Sequence, residues 1–149
     1  MRELQQIVVS VIPVNPNAEV LLQQRDDRPD LRYPGMWTLF GGSAEGEETP
    51  HEAIQRELLE ELGLEGVDLI YWSCYTCPAR SVEGQVKTTN HVYFMRIDPE
   101  ETALTLYEGQ AMRWFSREDA EALELAYLQA PVLKQFFEAG FYEYGKQQL

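Results

Sequence analysis

A helix can be placed at residues 49–63 with both of its ends, and it constrains the fold more than any other segment. Thr49 stands directly before Pro50 and three residues before Glu52, which is a capping box with proline at the first helical position. Gly63 supplies a left-handed stop at the other end. Apolar residues recur at every fourth position and predict one side that packs inward: Ile54, Leu58 and Leu62.

Three glutamates, Glu57, Glu60 and Glu61, lie beside that apolar side. Their i, i+3, i+4 spacing places the carboxylates together, where like charges repel one another. A hard divalent cation removes this repulsion, and Mg²⁺ is usually held by carboxylates together with substrate phosphates. Gly41 and Gly42 precede the helix and let the backbone approach a ligand with its carbonyls free. The alternative is a solvated acidic surface, and we expect the Glu60 and Glu61 side chains to be exposed.

The surrounding pattern decides between these readings. Residues 42–64, GSAEGEETPHEAIQRELLEELGL, fit G-x5-E-x7-R-E-U-x-E-E-x-G-U, where U is aliphatic, without a mismatch. A chance match is on the order of one in a million or rarer, which argues against a plain acidic surface. The pattern is the Nudix box, and the chain resembles the Nudix hydrolases of the MutT type.

The resemblance covers nearly the whole chain and implies its fold and chemistry. It implies a single domain over residues 1–149 of the α/β (α+β) class, in which a mixed β-sheet lies between helices as an α/β/α sandwich. It also implies hydrolysis of a nucleoside diphosphate linked to another group, with Mg²⁺ or Mn²⁺ as cofactor.

Site roles follow from the same resemblance. The segment YEGQAMRWFS resembles the region where MutT-type enzymes keep a further acidic ligand, here Glu108. Glu57 is expected to act as general base or to orient the attacking water. The expected catalytic residues are Glu57, Glu60, Glu61 and Arg56, and Arg56 is expected to hold Glu48, because carboxylate–guanidinium pairs fix geometry. The expected metal ligands are Gly41, Glu57, Glu60, Glu61 and Glu108.

Substrate-binding residues are expected outside the box. Arg25 ends a strand where MutT-type enzymes have an arginine that faces the nucleotide, and Arg28 and Arg32 in the next loop could clamp phosphates. Gln129 lies two residues before Pro131, where those enzymes carry an asparagine that reads an oxidised purine. Glutamine offers the same donor and acceptor on a longer stem.

One position departs from the family pattern. Glu47 stands where the family usually has glycine, so either it adopts a glycine-like conformation or the loop rearranges.

Cys74 and Cys77 are predicted to be reduced packing residues, because a zinc site needs more ligands than this chain offers nearby. Tyr33 could stack on a base, as could two tryptophans that we instead place in the core: Trp37 and Trp114.

Composition limits the partners. The chain has 149 residues and a net charge of −13, which argues against binding a nucleic-acid polymer. Apolar runs are shorter than the roughly 20 residues that a membrane span needs. We expect a cytoplasmic monomer or homodimer that acts on a small phosphorylated substrate.

The remaining elements are predicted from periodicity and turn residues. A turn is expected near Glu83 and Gly84. Helices are expected at residues 116–125 and 131–139. Strands are expected at residues 5–13, 18–24, 36–40, 67–77, 86–97, 103–106 and 112–115.

Two functions remain open from the sequence, and two others are disfavoured. The first is a nucleoside triphosphate pyrophosphohydrolase, with oxidised purine nucleotides among its candidate substrates. The second is a Nudix hydrolase of nucleotide sugars or dinucleotide polyphosphates. An isopentenyl diphosphate isomerase would need a cysteine soon after Thr38, and Leu39-Phe40-Gly41 follows instead. A nucleotide sensor on this fold would typically have lost box glutamates, which this chain retains.

Overall fold

The computed structural model describes residues 4–81 and 84–143, in which seven strands form one mixed sheet. The strands are β1 (Leu4–Val14), β2 (Val20–Gln24), β3 (Trp37–Thr38), β4 (Phe40–Ser43), β5 (Ile70–Ser81), β6 (Gly84–Arg96) and β7 (Ala111–Phe115). Within these ranges the α-helices are α1 (Pro50–Leu62), α2 (Arg117–Glu121) and α3 (Ala130–Ala139). Short 3-10 helices lie at Ala126–Leu128 and Phe141–Glu143.

One long strand, β1, organises the sheet. The order is β3-β2-β1-β6-β5, with β4 also paired to β1 and β7 to β2. β1 runs parallel to β6 along its whole length, so both short neighbours share its other edge. β4 pairs there with Val8–Val11, whereas β2 meets β1 only at Val14. The seam between β2 and β4 is where the site described below forms.

Helices cover both faces of the sheet. Alternate strand residues point to opposite faces, so Ile12 packs with Phe136 of α3 while Val11 packs in the core that contains Leu58 of α1. These two cores confirm the predicted mixed sheet between helices. The two tryptophans predicted to be core residues are partly buried, one against each core: Trp37 and Trp114.

Four element predictions differ from the structure by three residues or more, and one of them, the strand predicted at 67–77, runs instead over Ile70–Ser81. The strand predicted at 36–40 divides after Thr38, and the second piece extends as β4. The helix predicted at 116–125 ends at Glu121. Residues 103–106 form no strand, although Leu104 and Leu106 pack against the α1-side core. Their apolar residues alternate because this loop covers the core. The next backbone N–H, that of Tyr107, donates to a carbonyl in the last turn of α1 and not to a strand. Of the predicted turn, Glu83 lies outside the described residues.

Cys74 is exposed rather than packed, which corrects the prediction for this residue. The β5–β6 register shifts between Tyr71 and Ser73, and such an irregularity reverses the side-chain alternation beyond it. The side chain of Cys77 lies outside the described part of the chain. No described helix is long and apolar enough to cross a membrane.

Candidate active site

The three box glutamates occupy different environments on α1. Only 1% of Glu61 is exposed, compared with 12% of the Glu57 side chain and 48% of the Glu60 side chain. The expectation of an exposed side chain is therefore wrong for Glu61. This residue is one turn from Leu58 and points into the seam between β2 and β4, where two strands cover it.

Both carboxylate oxygens of Glu61 accept hydrogen bonds across that seam. Gln23 Nε2 donates to Oε2 at 2.7 Å, and the backbone N–H of Gly41 donates to Oε1 at 3.0 Å. Burial raises the pKa of Glu61 to about 9, and the charges of Glu57 and Glu108 add to the rise. Sequence reasoning missed Gln23. The available signal was a polar residue that directly follows three apolar residues, Val20–Leu22, in the predicted strand.

In metal-free buffer we expect the wild type to lose stability relative to Glu61→Gln as the pH rises. The pKa of Glu61 is about 9 in the folded protein, above the ordinary value of 4.5. Between these values the folded state keeps a proton that the unfolded state has released. The free energy of unfolding therefore falls by at most about 1.4 kcal/mol per pH unit, whereas glutamine does not titrate. Urea unfolding in EDTA from about pH 5 to pH 8.5 measures this, and parallel curves would contradict it.

Arg56 links the box loop to the acidic side of α1. Its Nε and Nη2 donate to the two oxygens of Glu48 at 2.8 and 3.0 Å, which confirms the predicted pair. Its Nη1 lies 3.0 Å from Glu57 Oε1 and 3.3 Å from Glu60 Oε2. The hydrogen bond to Arg56 lowers the pKa of Glu48. Arg56 Nη1 also lies 3.7 Å from Glu45 Oε1, so Arg56 balances four carboxylates, and Nη2 donates to the Ser43 carbonyl at 3.0 Å.

Glycines bring the box loop close to β1 and α1. Gly41 has φ +146°, and a Cβ there would lie 2.0 Å from the Val9 carbonyl oxygen. A Cβ on Gly42 would lie 2.4 Å from a Glu57 carboxylate oxygen. Glu47, which stands where the family usually has glycine, does not adopt a glycine-like conformation. The loop is rearranged instead, and the left-handed residue is Gly46 at φ +54°. Close approach to β1 and to Glu57 therefore explains why Gly41 and Gly42 are glycine.

A short loop holds Glu108 opposite α1. Tyr107 N donates to the Glu61 carbonyl at 2.9 Å, and Gln110 N donates to the Gln24 carbonyl at 2.9 Å. Partial burial, followed by the charges of Glu57 and Glu60, raises the pKa of Glu108. The loop therefore brings Glu108 close enough to the box glutamates to interact with their charges.

The donor set fits a hard divalent cation, although its side chains are not gathered around one point. No group of three or more His, Cys, Asp or Glu residues has metal-binding geometry in the described ranges. Arg56 instead bridges Glu57 and Glu60. Mutual repulsion contributes to the raised pKa values of Glu61 and Glu108, and oxygen-only carboxylate sets of this kind suit Mg²⁺ or Mn²⁺.

Two of these carboxylates, on Glu61 and Glu108, open onto a cleft of about 380 Å³ between α1, the end of β2 and the Glu108 loop. Glu61 and Glu108 line one part of it, and Arg25 lines another. The lining residues are Gln23, Arg25, Asp26, Leu31, Gly41, Glu61, Tyr107, Glu108 and Gly109.

The three predicted substrate arginines do not all reach the cleft. Arg28 is exposed and ion-paired with Asp30 at 2.8 Å, and of the three arginines only Arg25 lines the cleft. Arg25 donates through Nε to the Arg32 carbonyl at 2.8 Å and lies 5.2 Å from the centre of the Tyr127 ring. Arg32 lies 5.9 Å from the same ring. Within the described ranges, Arg25 and Arg32 form no ion pair.

Tyr127 was not foreseen from the sequence. It packs edge-on against Tyr33, with ring centroids 4.6 Å apart, and both residues have left-handed backbones at φ 58° and 52°. Left-handed conformations in residues other than glycine are uncommon and cluster at functional sites. Two strained aromatic residues and two arginines thus meet beside the cleft.

Gln129 is buried against β3, at one edge of the sheet. Only 8% of it is exposed, and its Oε1 accepts from Thr38 Oγ1 and from Leu39 N, each at 2.9 Å. The acceptor atom is therefore committed to β3 and the residue after it. The Gln129 side chain was expected to contact a base through both its donor and its acceptor, and only the Nε2 donor is left for such a contact.

The geometry agrees with the comparisons to known proteins. The NUDIX domain profile matches residues 4–136. The chain belongs to the NUDIX domain family. It is 32% identical over 129 residues to the CTP pyrophosphohydrolase of Escherichia coli K12, covering 87% of this chain and 89% of that protein. It is 31% identical over 128 residues to the nucleoside triphosphatase NudI of an Enterobacter species, covering 81% and 89%.

Solved structures place the chain in the same fold. The solution structure of the E. coli ORF135 protein superposes with a TM-score of 0.71 at 29% identity and covers 91% of each chain. The predicted family, fold and enzyme class, a pyrophosphohydrolase acting on phosphorus-containing anhydrides, are confirmed.

Proposed function

We propose that this protein hydrolyses nucleoside triphosphates to the monophosphate and pyrophosphate, with Mg²⁺ or Mn²⁺. One observation carries the proposal: Glu61, Glu108 and Arg25 line a single cleft. A metal-bound polyphosphate and a second recognition point can be held there together. The similarity to proteins named CTP pyrophosphohydrolase and nucleoside triphosphatase supports the substrate class.

The acidic residues would hold the cation, which when bound neutralises phosphate charge and lowers the pKa of a coordinated water. Its ligands would be Gly41, Glu57, Glu60, Glu61 and Glu108. Glu57 would take the proton from the attacking water, since Arg56 fixes its carboxylate at 3.0 Å in the box. Arg56 itself would act by holding Glu48 and Glu57 rather than by touching substrate.

Recognition of the nucleotide would fall to the other end of the cleft. Arg25 and Arg32 carry planar donor groups, form no ion pair in the described part of the chain, and are held beside Tyr127. Gln129 would offer only its Nε2 donor, to a carbonyl or ring nitrogen of the base. Arg28, paired with Asp30, would contact phosphate only by giving up that ion pair.

A substrate screen tests the proposal. Nucleoside triphosphates, oxidised purine triphosphates, nucleotide sugars and dinucleotide polyphosphates should be compared with Mg²⁺, with Mn²⁺ and in EDTA. We expect release of monophosphate and pyrophosphate from triphosphates, complete loss in EDTA and recovery with either ion. Full activity in EDTA would contradict metal dependence. A higher kcat/KM for nucleotide sugars or dinucleotide polyphosphates would replace the proposed substrate class.

We also place the activity in the cytoplasm, where nucleoside triphosphates are used, and in a monomer or homodimer. Light scattering at several protein concentrations would decide the oligomeric state.

A further inference from the structure

A buried glutamine, Gln23, connects the acidic residues to the floor of the cleft. Only 8% of it is exposed, and its Nε2 donates to Glu61 Oε2 at 2.7 Å, a contact across 38 residues of sequence. Its Oε1 lies on the other side, where a Cβ added to Gly109 would be 3.1 Å away. Gln23 therefore stands between Glu61 and the loop that carries Glu108.

We propose that Gln23 is a positioning residue whose amide fixes the Glu61 carboxylate for the divalent cation. The inference rests on the proposed role of Glu61 as a metal ligand. Gln23 and the N–H of Gly41 each donate to a different oxygen of that carboxylate, which leaves it one orientation in the seam. Each oxygen retains a further acceptor position, so the two donors orient Glu61 without preventing metal coordination.

The geometry makes Gln23 difficult to replace. Glu61 is almost fully buried, so a missing donor would not be made good by bulk water, and an unpaired buried carboxylate would turn or neutralise. The strand also fixes where the amide can reach. Gln23 pairs with Thr38 on one side and Met112 on the other, so β2 cannot shift to compensate. Groups that orient metal ligands in this way typically contribute about 10- to 100-fold in metal affinity.

The neighbouring Gln24 provides a matched control. It lies on the same strand, but its side chain points to the opposite side and donates to the Gly35 carbonyl at 3.0 Å. Gln24→Met therefore removes a side-chain amide hydrogen bond of the same kind without touching Glu61.

The test is titration of Mn²⁺ into the full-length, EDTA-stripped protein by calorimetry. Gln23→Met should raise the Mn²⁺ Kd by about 10- to 100-fold. Gln23→Asn, one methylene shorter and still polar, should weaken binding in the same direction. Gln24→Met should stay within about twofold of the wild type. Thermal unfolding in EDTA checks that each variant is folded.

A double-mutant cycle separates this inference from the proposed function. Adding Gln23→Met to Glu61→Gln should weaken Mn²⁺ binding no further, because the amide acts through Glu61. If both folded Gln23 variants bind Mn²⁺ with wild-type affinity while Glu61→Gln binds it weakly, the role of Gln23 is overturned and that of Glu61 stands. Wild-type affinity in Glu61→Gln overturns the proposed ligand role of Glu61 and this inference with it.

Discussion

Replacing Glu57 with glutamine is expected to lower kcat for triphosphate hydrolysis by about 10²- to 10⁴-fold, the contribution typical of a positioned acid–base group. Only 12% of the Glu57 side chain is exposed, and its Oε1 lies 3.0 Å from Arg56 Nη1. Glutamine keeps the volume and an acceptor oxygen for Arg56. It can neither take a proton from water nor bring negative charge to a cation.

The measurement is steady-state kcat at saturating Mg²⁺, with thermal unfolding of the same samples. Glu47→Gln is the matched control, because it removes an exposed carboxylate from the box loop. The control should retain activity within about twofold, since surface charges of this kind contribute little. A folded Glu57→Gln enzyme with kcat within tenfold of the wild type would remove Glu57 from the chemistry.

Local features of the site could be predicted from the sequence because their partners are near in the chain. The capping box at Thr49 and the left-handed stop at Gly63 occur as expected. The pair between Arg56 and Glu48 spans eight residues, close enough for the box pattern to specify it. Each of these depends on one turn of helix or one short loop.

Features that depend on strands meeting could not be predicted in this way. The burial of Glu61 arises because β2 and β4 share one edge of β1 and leave a seam above its carboxylate. Its partner Gln23 lies 38 residues away. Gln129 bonds Thr38 across 91 residues, which a short motif near the end of the chain does not indicate.

The substrate end of the cleft shows the same limit. Tyr127 meets Tyr33 and Arg25 because a left-handed turn before α3 brings its ring across to the loop after β2. Backbone strain of this kind has no signature in hydrophobic periodicity. The similarity of the box to a family therefore indicates the chemistry well, whereas the residues proposed to recognise the base are brought together by turns that no short motif specifies.

Arg56→Ala is expected to reduce both activity and stability. The substitution removes the bidentate contact to Glu48 and the contacts to Glu57 and Glu60. Glu57 would remain nearly buried without its cationic partner, and an unpaired buried polar group costs about 1–3 kcal/mol. The box loop would lose its bond from Nη2 to the Ser43 carbonyl as well. Because Glu57 is then poorly placed, kcat should fall together with the melting temperature.

Two further variants show whether Arg56 acts through its geometry. Arg56→Lys keeps the charge but cannot contact Glu48 with two donors and Glu57 with a third, so it should recover only part of the loss. Arg28→Ala removes an exposed pair with Asp30 and should leave the melting temperature unchanged. Loss of activity in Arg56→Ala at an unchanged melting temperature would mean that Arg56 contacts the substrate. The same substitution with a raised substrate KM and a normal kcat would mean that the contact binds the ground state and the transition state equally.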